Sequence, residues 1–175
     1  MTASQTQMQR LRVAHLNPNA PTPFLLRPDA NARATIAGGL GLTDLPRLEF
    51  QGEIRAEGRD GWRLSGHLRA RVVQPCVITL AAVGSDLDEQ VTRLYSPDFA
   101  TPEGDEVEMP DETIEPLGQF IDLSAAMIEE LTLALPEYPR ADGAQIPADA
   151  RDRLPPSDTR RPFAGLDKML KGRDS

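Results

Sequence analysis

The sequence predicts an α+β fold: an antiparallel, strongly curved or barrel-like β-sheet carrying two or three short helices. Three observations lead there. Trp62, Leu64, Gly66, Leu68, Ala70 and Val72 alternate with Arg63, Ser65, His67, Arg69 and Arg71, the period-two pattern of a strand with one dry and one wet face. Leu48, Phe50, Gly52, Ile54 and Ala56 alternate in the same way with charged or amide neighbours, and Gly58-Arg59-Asp60-Gly61 joins the two runs as a hairpin. Leu123, Met127, Ile128, Leu131 and Leu135 then recur at helical spacing as one apolar stripe.

Taken in order, residues 1–9 are polar and expected to be disordered. Leu11 and Val13 alternate with Arg10 and Arg12, which reads as a short strand ending near His15. Three prolines between residues 18 and 23 mark a loop, because each removes a backbone donor and restricts its predecessor. Residues 24–27 form a second short strand. Asp29 or Asn31 caps a helix from Ala32 to Ile36 or Ala37, ended by Gly38 and Gly39. The hairpin strands follow and form the centre of the sheet. Gln74-Pro75-Cys76 breaks the second of them. Residues 77–83 continue the meander, and residues 87–95 are the next strand. Residues 96–118, dense in Pro, Gly and acid, bury too little apolar surface to order cheaply and read as an acidic loop. The helix over 122–135 starts on the cap Asp122, stops at Pro136 and covers one face or end of the sheet. One domain thus spans 10–139. Residues 140–175 are a Pro- and Arg-rich tail with a short helix over 163–170.

At 175 residues the chain can bury a core of its own. A single cysteine excludes an intramolecular disulfide and any multi-cysteine metal cluster, and suits a reducing compartment. The first residues lack the apolar run of a secretory signal, and no window reaches the roughly 18–20 apolar residues of a membrane span, so a cytoplasmic location is expected. The net charge of −8 is uneven. Residues 1–84 carry ten basic against six acidic side chains, whereas residues 85–115 carry eleven acids and Arg93 alone. Such a chain is poorly suited to DNA or to any phosphate backbone as a whole, although its basic first half allows a local contact.

The order of several short patterns resembles a known family. Gly66, Ala70 and Gln74-x-Cys76-Val77 come first, followed by the acidic segment and Ile121-Asp122-Leu123. Leu131-x-Leu133-Ala134-Leu135-Pro136 and Arg161-Pro162-Phe163-Ala164-x-Leu166 close the series. Together they resemble the YceD family, the large ribosomal RNA subunit accumulation proteins, over residues 8–172. The resemblance implies a bacterial cytoplasmic protein that supports synthesis, processing or stability of 23S ribosomal RNA, with no enzymatic activity to carry over. Many relatives have C-x-x-C in place of Val73-Gln74-Pro75-Cys76 and a second cysteine pair after the helix, a set suited to tetrahedral zinc. With Val73 at the first of these positions and no cysteine after Leu135, this chain is expected to have lost that site and to hold no metal or other cofactor.

Candidate binding residues follow. Arg63, His67, Arg69 and Arg71 share the wet face of one strand. Alternate side chains there lie about 6.5–7 Å apart, near the spacing of successive phosphates. The competing reading pairs them with the acids of residues 49–57 across the hairpin, and is preferred. Tyr138 and Arg140, just past the helix, are a candidate recognition point or a packing motif. The acidic loop reads as a solubilising linker or as a docking segment for a basic protein. Cys76 is expected to be a small buried hydrophobe rather than a nucleophile. Asp122, Glu129 and Glu130 read as a cap and an exposed helix face rather than an acid/base pair. The expected function is therefore a non-catalytic factor in large-subunit ribosomal RNA accumulation, in contact with ribosomal RNA or with a ribosomal or processing protein. The alternative is an acidic adaptor for a basic protein.

Overall fold

A computed structural model describes residues 9–97 and 113–145. The expected N-terminal disorder, the body of the acidic loop and the terminal helix over 163–170 lie outside them. Two compact units divide the chain, Met1–Ala141 and Asp142–Ser175. All the elements that follow belong to the first. They run β1 (Arg10–Arg12), a 3-10 turn (Val13–His15), β2 (Thr22–Leu26), α1 (Ala30–Gly39), β3 (Asp44–Glu57), β4 (Gly61–Pro75), β5 (Ala82–Ser96), β6 (Thr113–Pro116), β7 (Phe120–Asp122) and α2 (Leu123–Ala134).

The architecture is α+β, with β4 in the middle of a five-stranded sheet ordered β2-β3-β4-β5-β6. The hairpin is as the alternation predicts. Glu57 pairs with Gly61 across a connection in which Gly58 takes a left-handed φ of 63°. Trp62, Leu64, Leu68, Ala70 and Val72 all face the core. β1 and β7 form a separate antiparallel pair, Leu11 opposite Ile121.

The structure corrects several expectations. The sheet is neither closed nor barrel-like, since β2 and β6 end it without meeting. It is also mixed, because β6 runs parallel to β5. A parallel neighbour needs a crossover of a dozen or more residues, and sixteen separate Ser96 from Thr113. The acidic segment thus contains a strand at its end.

Pro75 does not break β4, which pairs through to Pro75 opposite Ala82. Residues 77–81 are a turn instead of a strand. The Leu80 N–H donates to the Cys76 carbonyl (2.9 Å), and Leu80 itself takes a φ of 61°. β1 stops at Arg12 because Val13 turns its N–H onto the Gln119 carbonyl (3.0 Å). Helix α1 is longer at both ends than its apolar residues suggest: Asp29 caps it through the Ala32 N–H, and Gly41, at φ 66°, follows its exit.

The core lies between the sheet and the helices. Leu123, Met127 and Leu131 of α2 are buried on it, as expected, and Ala126 joins them. Ile128, at the stripe's margin, is exposed. Phe24 and Phe50 stack at 5.0 Å, tilted by 55°, above the facing glycines Gly52 and Gly66. A Cβ at Gly52 would lie 2.2 Å from the Ser65 carbonyl oxygen and 2.6 Å from the Gly66 Cα. That pair of glycines is what lets the rings sit down on the sheet.

Candidate functional site

The wet face of the sheet carries the four basic residues singled out by the sequence, and the structure brings them into one row on β4. Each is paired. Arg63 contacts Glu57 (3.1 Å), and Arg69 contacts Asp88 (3.3 Å). His67 also contacts Asp88, and Arg71 contacts Asp86. The preferred reading placed the partners on β3, but three of the four residues find theirs on β5. The register explains this, since Arg71 faces Arg47 on one side and Asp86 on the other, while Arg69 stands between Glu49 and Asp88. Glu49 is bonded instead by Arg27 (2.9 Å), whose hydrogen bond is the main influence holding that carboxyl below its usual range. Partial desolvation alone would raise Asp88, but His67 and Arg69 outweigh it and hold it low. The row is therefore close to neutral, and its attraction for a phosphate backbone is correspondingly weak.

At the far end of β4 the chain wraps around Cys76. The side chain is fully buried, and its Sγ accepts the N–H groups of Ile78 (3.4 Å), Thr79 (3.5 Å) and Ala141 (3.4 Å). Burial by itself would push the thiol up. The Thr79 hydroxyl together with these three amides overcomes it and lowers the thiol from its ordinary 9.0 to about 6. Two more bonds fasten the same junction: the Val77 N–H to the Pro139 carbonyl (2.9 Å) and the Gln74 side-chain amide to the Pro136 carbonyl (3.2 Å).

This donor set does not fit zinc. The groups converging on the sulfur are N–H donors rather than ligands, and among the described residues no three His, Cys, Asp or Glu side chains are placed to hold an ion. The side chain beside the sulfur is that of Thr79, not Val73, which is paired with Gly84 in β4. His67 lies nine residues away along β4, about 30 Å at strand rise, too far for a thiol–imidazole pair.

Tyr138 and Arg140 flank the buried Pro139 at this junction, both exposed, Tyr138 to 72%. Val77 and Leu80 are exposed on the facing turn. The two candidate residues thus stand at the surface beside that junction.

The sequence missed the most buried charge among the described residues. Arg93 is 3% exposed and binds Glu115 of β6 (2.5 Å) together with Glu129 (2.7 Å) and Glu130 (2.6 Å) of α2. Burial favours the neutral guanidine, yet the hydrogen bonds that Arg93 donates to Glu129 and Glu130 outweigh it and raise its basicity. Burial beside Glu115 pushes the neighbouring Tyr95 hydroxyl up to about 12. Glu129 and Glu130 are therefore both engaged by an arginine; of the helix face expected to be exposed, Glu129 is 61% exposed and Glu130 only 22%. The only clue in the sequence was one base in an otherwise acidic stretch.

A cleft of about 650 Å³ opens between α1 and α2, walled by Leu26, Ala32, Ile36 and Met127. Its charged rim is already engaged: Asp29 and Asp122 cap the helices, and Arg10 binds Asp122 (2.6 Å). Among the described residues no helix is long and apolar enough to cross a membrane.

Residues 64–169 match the family model described as "Large ribosomal RNA subunit accumulation protein YceD", more than half of the chain. Neither a curated protein nor a solved structure matches it.

Proposed function

We propose a function for this chain from the premise that it belongs to the YceD family, the large ribosomal RNA subunit accumulation proteins. It supports accumulation of 23S ribosomal RNA in the cytoplasm by binding, without catalysing a reaction. The observation that carries this reading is the family match, which covers most of β4, all of β5 and α2, and the Cys76 junction. The non-catalytic part is supported by the side chains themselves. Cys76 is sealed and distant from His67, and the acids of α2 are tied to Arg93. The chain holds no structural zinc, and packing around a single sulfur takes the place of the four-thiolate cluster. Elemental analysis of the purified protein that found one zinc per chain would overturn that statement.

The paired state of Arg63, His67, Arg69 and Arg71 favours a protein partner over direct phosphate contact. Depletion of the protein tests the function. The ratio of 23S to 16S RNA should fall, and an unchanged ratio would remove the reading.

A further inference from the structure

Sheet edges present unpaired N–H and C=O groups that pair with another strand unless they are blocked. This sheet blocks one edge thoroughly. β2 is short and carries Pro23, and where β3 runs past it, α1 covers the strand and Arg33 caps the Leu45 carbonyl (3.0 Å). Among the described residues the other edge is covered only in part. β6 covers β5 only over its last four residues, Arg93 to Ser96. Among the described residues no strand pairs with the outer side of residues 82–92, a free edge of about 35 Å. Asp86, Asp88, Glu89, Gln90 and Thr92 along it are exposed.

We propose that this open edge of β5 receives an extended basic segment of a partner protein as an added strand. The side chains define what fits. On the wet face Asp86 and Asp88 are bonded from the β4 side but remain 75% and 62% exposed, so each carboxylate keeps oxygen lone pairs turned to solvent. A strand laid beside them places its own side chains about 5 Å away, where Lys or Arg at every second position completes the alternation of charge across the sheet. On the core face Leu87 and Val91 call for apolar or β-branched residues between those bases, and Glu89 for one more base. A second copy of this chain fits badly, because its edge would set acids against acids. RNA fits badly for the same reason, and cannot use the backbone groups in register. Main-chain hydrogen bonds supply affinity in such an arrangement and the alternating side chains supply selectivity. The inference rests on the reading of the chain as a binding factor, and names its partner.

The test uses the full-length protein and a short synthetic peptide in which Lys alternates with Val and Thr. Binding should slow hydrogen exchange of alternate amides within residues 82–92 by at least about tenfold. The same peptide with N-methylated backbone should bind at least about tenfold more weakly, as should the wild-type peptide to the double variant Glu89→Lys, Gln90→Lys, whose unfolding midpoint should match wild type. Equal binding of the methylated peptide, protection elsewhere, dimerisation through these amides, or single-stranded RNA protecting them in place of the peptide would each overturn the proposal. If depletion lowers 23S RNA but the edge binds nothing, the edge proposal fails and the family role stands. The opposite pair of results separates them the other way.

Discussion

Cys76 is the residue on which the β4–β5 turn and the segment after α2 converge, and its charge state has a measurable consequence. Its folded value of about 6 lies below the ordinary 9.0, so the stabilisation it brings is complete near pH 9 and is lost as pH falls through 6. Urea midpoints measured from pH 6 to 9 should rise for wild type relative to Cys76→Ser, which lacks a group titrating there. Parallel profiles would show that the amides do not hold a thiolate. Gly52 makes the second prediction at this scale. A methyl group there meets backbone rather than flexible side-chain ends, so Gly52→Ala should cost about 3 kcal/mol in denaturant unfolding. Gly38→Ala, with open space around it, should cost nothing or stabilise α1 slightly.

Among the elements, β5 joins the sheet to α2, and Arg93 is the joint. Removing the buried guanidinium leaves three carboxylates facing one another, although Glu129 can rehydrate because it is 61% exposed. Arg93→Ala should therefore cost about 3 kcal/mol, and Glu129→Gln less than about 1 kcal/mol, by calorimetry or urea unfolding. Similar losses for both would mean that the network acts as one unit. The sequence showed β3, β4 and α2 because each carries a long periodic apolar pattern. It hid the first half of β5, where Gly84, Ser85, Asp86 and Asp88 lie on an open edge and have no face to bury continuously. It also made residues 77–83 look like a strand, since Val77, Ile78 and Leu80 are good strand formers. Local propensity there yields to long-range bonds from the Ala141 N–H to Cys76 and from the Val77 N–H to Pro139, which no window of sequence contains. The arginine row was legible as a row, but its partners depended on a register that only β5 supplies.

For the whole molecule, the acidic balance and the neutralised arginine face point the same way: contact with ribosomal RNA, if made through β4, would have to break pairs on every side chain involved. The double variant Arg69→Ala, Arg71→Ala should bind ribosomal RNA fragments with the same salt slope as wild type, and a flatter slope would return RNA contact to that face. Whether the chain sustains 23S RNA by binding is decided by the 23S to 16S ratio in depleted cells re-supplied with protein. The ratio should fall on depletion and be restored both by wild type and by the Arg69→Ala, Arg71→Ala variant. A ratio that depletion leaves unchanged would rule this role out.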